Sequence, residues 1–310
     1  MEEIDFSEDI KSYVLSEFKS FGIDYSLTRD INKDLLNLFT IQKKYIYPFP
    51  RIVQLSNELQ TKIKRDPRFQ HIIRHLIVLL AQGLDVNQFQ SINLFNYRVP
   101  DQLIYDWSIY HLHLSINKTK YEYFNDRTNN VLFAFIDKEQ ARFLDIDKHP
   151  PKDIFADKKL LEILDKNWNE ILKEADGVVG LSQEISKSDR FKLRKMGINE
   201  GLIEVNGKFV FTPGIGFTSN KTSTDTVLKL NMFNRWIEKN TKFLNGHRSL
   251  VDKYFKEIHN LINSIEYHLS FKIDGPEICD KTTNQSLIKY SDILIDPNTN
   301  SKKFNKITKR

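Results

Sequence analysis

Two apolar segments of the chain carry ionisable side chains at every second position. His111 and His113 alternate with Tyr110, Leu112 and Leu114 in the first segment, and the second carries Asp145, Asp147 and His149. Side chains two apart on a strand point to the same face, so each segment predicts one polar row. If the two strands are neighbours, both rows share a face, and the window is the best candidate active site in the sequence.

These residue types suit a metal-independent ribonuclease. In such a site a histidine takes the proton of the ribose 2′-hydroxyl, a second acid protonates the leaving oxygen, and an arginine neutralises the phosphate. Arg127 lies between the two segments and could fill the last role. The predicted catalytic residues are His111, His113, Arg127 and His149, with Asp145 and Asp147 as supporting groups or alternative ligands.

Two other interpretations of the same residues remain open. Imidazole and carboxylate ligands together suit zinc, manganese or iron, so a metal-dependent nuclease or another hydrolase is the main alternative. Its predicted ligands are His111, His113, Asp147 and His149. In the third interpretation the histidines only form hydrogen bonds within the sheet, and the protein binds nucleic acid or another partner without catalysis. The first hypothesis needs no cofactor, and the second needs a divalent metal.

The pattern of apolar residues predicts an α+β fold. Residues 1–83 are expected to form a helical segment, with helices at 30–46, 52–63 and 67–80. Residues 84–175 are expected to form a small antiparallel sheet with a covering helix at 156–174. Its predicted strands are 106–115, 131–136 and 141–146, the last two joined as a hairpin by a four-residue polar connection.

The C-terminal part predicts a second, mainly helical module over residues 176–275. Asn206-Gly207 is a strong hairpin signal, and helices are expected at 225–243 and 251–269. The Gly-rich segment 212–224 ends in Lys-Thr like a phosphate-binding loop, but it lacks the glycine before the lysine, so we expect a loop. Residues 276–310 are expected to form a flexible, polar and basic tail.

Composition and charge restrict the functional classes. The net charge of +5 and the basic end of the chain are compatible with a nucleic-acid partner, with RNA favoured. A homo-oligomer or an inhibitor partner is also compatible. No apolar run is long enough to cross a bilayer and the first residues are acidic, so we expect a cytoplasmic protein without a membrane partner. The single Cys279 excludes an internal disulfide and a multi-cysteine zinc site.

Residues 80–170 resemble a bacterial family known chiefly as hypothetical proteins. The segments that carry the resemblance are Gly83 to Asn87, Gln90-Ser91, Asp106 to Leu114, Asp126 to Thr128, Val131 to Phe133, Phe143 to His149 and Leu160 to Trp168. More loosely, the layout is similar to RelE-type and barnase-like ribonuclease toxins. That similarity implies that Arg127 holds phosphate, that His149 with His111 or His113 transfers protons, and that the role is toxin-like or defensive.

Overall fold

A computed structural model describes residues 3–119, 123–148, 155–180, 185–272 and 275–291. Predicted site residue His149 lies outside these ranges, as does most of the predicted basic tail. Helices and small sheets are both present, so the predicted α+β class is confirmed. The chain divides into two compact units, one formed by Leu36–Leu228 and the other by Met1–Leu35 with Lys229–Arg310. The boundaries of these two units differ from the boundaries of the four predicted segments.

The helices and strands follow one another in short runs along the chain. The helices are α1 (Ser7–Ser20), α2 (Ile31–Lys44), α3 (Asn57–Arg65), α4 (Gln70–Ala81), α5 (Gln102–Trp107), α6 (Lys159–Asn167), α7 (Lys187–Lys195), α8 (Thr224–Gly246) and α9 (Arg248–His259). The strands are β1 (Ile52–Leu55), β2 (Ile109–His113), β3 (Asn130–Ile136), β4 (Gln140–Lys148), β5 (Leu202–Val205), β6 (Lys208–Phe211), β7 (Tyr267–Lys272), β8 (Gly275–Asp280) and β9 (Ser286–Lys289). Within the described ranges, no helix is both long and apolar enough to cross a membrane.

A four-stranded sheet of order β1-β4-β3-β2 forms the centre of the larger unit. The predicted hairpin is confirmed, since β3 and β4 pair antiparallel, and β2 pairs antiparallel with β3. The fourth strand was not expected, because β1 lies inside the predicted helix 52–63 and pairs parallel with β4. Ser56 separates the two elements, since its side chain accepts a hydrogen bond from the Leu59 amide and starts α3.

The strand of the histidines is shorter than the predicted 106–115. Asp106 and Trp107 belong to α5, and Ser108 ends that helix with a left-handed φ of 54° before β2 begins. Helix α6 is also shorter than the predicted 156–174, because the chain leaves helical geometry at Trp168. These changes leave His111 and His113 in the strand, at the free edge of the sheet.

Helices cover both faces of this sheet. Alternate residues of β3 belong to different apolar clusters, as the period of two along a strand requires. Leu132 packs in a cluster with Leu59 of α3 and Leu76 of α4, whereas Phe133 packs with Trp107 and Leu161 of α6. The two clusters therefore lie on opposite faces of the sheet.

The Gly-rich segment after β6 packs against the end of α5. The Gly214 amide donates to the Asp106 carbonyl at 2.9 Å, and the Gly216 amide donates to the Tyr105 carbonyl at 3.0 Å. A Cβ at position 214 would lie 2.4 Å from the Tyr105 oxygen, so only glycine fits. These two amides serve as caps for helix carbonyls and are not directed at a phosphate.

The smaller unit contains a three-stranded antiparallel sheet of order β7-β8-β9. Two predictions are corrected in this unit. The predicted helix 251–269 ends at His259, because Asn260 takes a left-handed φ of 52°, and Tyr267–Lys272 is a strand. The predicted flexible tail includes residues 276–291, but these contribute β9 and all of β8 except its first residue, with Ile278 and Ile288 fully buried. The apolar residues of this segment stabilise the sheet.

Candidate active site

The two predicted polar rows are not on neighbouring strands. Register pairs His111 with Phe133 and Phe133 with Asp145, so β3 separates the histidine from the carboxylate. The strand spacing places β2 and β4 about 10 Å apart. His113 is separated from Asp147 by Val131 in the same way. The two rows do lie on one face of the sheet, because directly paired residues of adjacent strands point to the same side. The expectation that their strands are neighbours is wrong, since β3 lies between them.

Asp145 forms ion pairs with two lysines of neighbouring helices. Its carboxylate is buried and lies 2.7 Å from the Lys62 ammonium of α3 and 2.8 Å from the Lys159 ammonium of α6. One of its oxygens also accepts from the Ile146 amide at 2.9 Å. Asp147 is half-buried and accepts from the Lys148 amide at 2.8 Å. Asp145 thus joins two helices to β4, away from the histidines.

His113 is buried at the end of β2. Its Nδ1 accepts a hydrogen bond from the Thr128 amide at 3.4 Å, which fixes the orientation of the ring. The His111 and His113 rings meet edge to face, with their centroids 6.2 Å apart. This environment favours a role for His113 in joining β2 to the segment before β3.

His111 and Arg127 line a cleft of about 290 Å³ in the larger unit. The His111 side chain is only 14% exposed, and its Nδ1 lies 3.7 Å from Oδ2 of Asp101. Asp101 is held by the fold, since its Oδ1 accepts from the Ile104 amide at 3.2 Å and caps α5. Nδ1 of His111 thus faces the carboxylate, and the imidazole is part of the cleft lining.

Arg127 is an exposed cation of this cleft. Its Nη2 donates to the Ser91 hydroxyl at 3.2 Å, and Ser91 lines the same cleft. A guanidinium has five N–H donors, so this contact leaves donors for the oxygens of a phosphate. The structure therefore brings together two of the four predicted catalytic residues, His111 and Arg127.

The rest of the cleft lining consists of aromatic side chains and an arginine that is paired with a buried carboxylate. Phe155 and Phe191 line the cleft, and the His111 ring lies 4.9 Å from the Phe155 ring. Arg194 also lines it, but its guanidinium is buried against Asp106, with Nη2 2.6 Å from Oδ2, and stacks on the Trp107 ring at 4.2 Å. The aromatic side chains could pack against a planar ligand group.

The described part of the chain contains no group of three or more histidine, cysteine, aspartate or glutamate side chains arranged to hold a metal. His111, His113 and Asp147 thus do not form a metal centre by themselves, and the fourth predicted ligand, His149, lies outside the described residues. The alternative metal site remains a prediction.

Sequence reasoning missed Asp101, Ser91 and Lys44, which also line the cleft. Asp101 had a signal, since an aspartate directly after a proline and before an apolar run is typical of a helix N-cap. Ser91 and Lys44 had none, because their positions depend on long-range packing.

Comparisons with protein family models, curated proteins and solved structures found no match to this chain.

Proposed function

We propose that this protein is a metal-independent ribonuclease that binds one phosphodiester of RNA in the cleft beside His111. One observation carries the proposal: His111, Asp101 and Arg127 line the same cleft, with an imidazole, a carboxylate behind it and an exposed guanidinium. This combination provides a base, a group that orients it and a phosphate ligand.

The chemistry follows from these groups. Nε2 of His111 takes the proton of the ribose 2′-hydroxyl, and the 2′-oxygen forms a bond to phosphorus while the bond from phosphorus to the 5′-oxygen breaks. The 5′-oxygen takes a proton from a second acid, for which His149 is the candidate. The products are a 2′,3′-cyclic phosphate and a 5′-hydroxyl. Arg127 stabilises the charge that builds up on the phosphate oxygens.

The toxin-like or defensive role rests on the resemblance in layout alone. It predicts that expression of the wild-type chain slows bacterial growth and that His111→Ala removes the effect. An inhibitor partner would then restore growth to cells that express the wild type.

Cleavage assays test the ribonuclease proposal directly. The purified full chain is incubated with labelled RNA, single-stranded DNA and duplex DNA, with and without chelator. RNA cleavage that survives the chelator, is lost in His111→Ala and persists in His71→Ala would support the proposal. His71 is a suitable control because it is exposed on α4.

Other results would redirect the assignment. Cleavage that requires added manganese would favour the metal-dependent alternative. Binding of RNA without cleavage under any condition would favour a non-catalytic nucleic-acid-binding protein. RNA cleavage that is unchanged in His111→Ala would place the reaction elsewhere.

A further inference from the structure

Lys44, the last residue of α2, has its ammonium group inside the protein. The residue is 3% exposed, and its Nζ donates to the backbone carbonyls of Asn93 at 3.1 Å, Asn96 at 2.8 Å and Val99 at 3.2 Å. An ammonium has three N–H donors, so each donor has one carbonyl acceptor. The three carbonyls come from one short segment and surround a single positive charge.

That segment, residues 91–101, forms one wall of the cleft and is called the wall segment below. It contains no α-helix or strand before α5, and its backbone bonds are local turns. The Leu94 amide donates to the Ser91 carbonyl at 2.9 Å, the Asn96 amide to Asn93 at 3.1 Å and the Val99 amide to Asn96 at 3.1 Å. Such turns fix short spans, so the overall course of the segment needs contacts from outside it.

Both ends of the wall segment carry groups of the candidate site. Ser91 accepts the hydrogen bond from Arg127, and Asp101 faces Nδ1 of His111. The carbonyls that contact Lys44 lie between these two residues in sequence. The ammonium therefore contacts the stretch of backbone that connects the Arg127 contact to the Asp101 contact.

Burial of a charged group is costly unless hydrogen bonds to the charge offset the loss of water. Charge-assisted bonds to carbonyl oxygens are among the stronger bonds available to an ammonium. Asp101 also acts on Lys44 through its negative charge, and Arg127, Arg194 and His111 are the other titratable or charged groups of the same cleft. An apolar side chain at position 44 would remove the ammonium donor from all three carbonyls, and the Asn93 and Asn96 carbonyls would keep only their bonds from the Asn96 and Val99 amides.

We infer that the carbonyls of Asn93, Asn96 and Val99 form a site for an alkylammonium ion, that Lys44 fills this site from within the chain, and that Lys44 is thereby the positioning residue of the cleft. The carbonyl site is independent of the ligand that the cleft binds. The consequence for RNA cleavage rests on the proposed function.

Chemical rescue tests the inference. Lys44→Ala removes the four atoms from Cγ to Nζ, and n-propylammonium has the same four heavy atoms. We expect amide hydrogen exchange at Leu94, Asn96 and Val99 to rise by about tenfold or more in the variant. Added n-propylammonium should return the exchange towards the wild-type rate. Tetramethylammonium, which has no N–H donor, and n-propanol, which has a single O–H donor for three carbonyls, should not.

Lys44→Met provides the matched control. It keeps an unbranched apolar side chain in the same space, so it should fold, show the raised exchange and resist rescue because no room is left for the amine. Equal exchange in the wild type and both variants would overturn the inference, as would rescue by tetramethylammonium. If Lys44→Ala does not fold, raised exchange confined to the wall segment in Lys44→Met supports the inference, and wild-type exchange overturns it.

Cleavage separates this inference from the proposed function. If RNA is cleaved, Lys44→Ala should lower kcat, and n-propylammonium should restore it together with the exchange rates. If RNA is not cleaved by any form but exchange is raised and rescued, the ribonuclease proposal fails and the ammonium site stands.

Discussion

His111 Nδ1 lies 3.7 Å from Asp101 Oδ2 in the wall of the cleft. This distance exceeds that of a hydrogen bond, so in this conformation the carboxylate acts on the imidazole through its charge. Asp101 also accepts the Ile104 amide, which keeps it in place without any ligand. In the proposed reaction, the imidazole that takes up a proton would have a fixed negative charge behind it.

The Asp101→Asn variant separates charge from structure. The amide oxygen can still cap α5, so we expect the melting temperature to change little. Loss of the negative charge should lower RNA cleavage by about tenfold or more, since the protonated imidazole is no longer stabilised. Asp101→Ala should lose the cap as well, at a cost of about 1 kcal/mol in the free energy of unfolding. Wild-type cleavage in Asp101→Asn would exclude the pair from the reaction.

Arg127→Ala tests the phosphate contact. Arg127 is exposed and its described hydrogen bond is to Ser91, so we expect the stability to change by less than about 0.5 kcal/mol. Binding of single-stranded RNA should weaken. The magnitude of the slope of log K against log salt concentration should fall by about one, which corresponds to the loss of one phosphate contact. Arg98→Ala is the control, since Arg98 is an exposed cation on the wall segment that is absent from the cleft lining. Equal losses in both variants would indicate a general charge effect.

Local patterns in the sequence were sufficient for part of the fold. The hairpin of β3 and β4 and the turn at Asn206-Gly207 depend on neighbouring residues, and both are present. Strand β1 depends on a distant partner, since its four residues form a strand only beside β4. Likewise β8 and β9 lie in a largely polar part of the sequence. Their few apolar residues become buried only when the two strands pair with each other and with β7. Non-local pairing is not visible in a local pattern.

In the candidate site, too, residue type and local pattern were visible in the sequence, whereas contacts between distant segments were not. His111 and Arg127 were predicted by residue type, and the structure places both at one cleft. Asp145 had the same alternating pattern as His111, but the strand order placed β3 between them. Lys44 precedes the wall segment by about fifty residues, and no spacing rule links an ammonium to carbonyls of an irregular segment.

Asp145→Asn should affect stability and not catalysis. The variant removes the negative charge that both Lys62 and Lys159 contact inside the protein. Because both lysines are partly exposed and can be solvated, we expect the free energy of unfolding to fall by about 1–3 kcal/mol. Asp147→Asn, at a half-buried position, should cost less than about 0.5 kcal/mol. Urea titrations measure both, and loss of RNA cleavage in a folded Asp145→Asn protein would contradict this assignment.

Gly214→Ala tests the role of the Gly-rich segment as a support for α5. A Cβ at this position would lie 2.4 Å from the Tyr105 oxygen, a backbone atom that cannot move alone. We expect a loss of about 2 kcal/mol or more in stability, because the segment must withdraw and leave the helix carbonyls without donors. Gly201→Ala is the control, since a Cβ there meets no atom within 4 Å. Equal melting curves for the two variants would disprove the tight fit.

The pH dependence of stability should carry a contribution from Lys44. Burial lowers the pKa of Lys44 from its ordinary 10.5 to about 8, and the charge of Asp101 partly opposes this effect. Between these two pH values the folded chain holds a neutral amine while the unfolded chain binds a proton. The unfolded state then binds more protons, so the free energy of unfolding rises with pH. Below about pH 8 both states are protonated, and the contribution is constant.

The expected gain between about pH 8 and 10.5 is about 3 kcal/mol, from the difference between the two pKa values. A neutral amine keeps two N–H donors, so the wall segment stays in place over this range. Urea titrations of the wild type and Lys44→Met at several pH values measure the effect as a difference, in which the other titrating groups cancel. The wild type should gain stability relative to the variant as the pH rises. Parallel curves would show that Lys44 keeps its ordinary pKa in the folded chain, and a difference that falls with pH would show that the carbonyl contacts outweigh the loss of water.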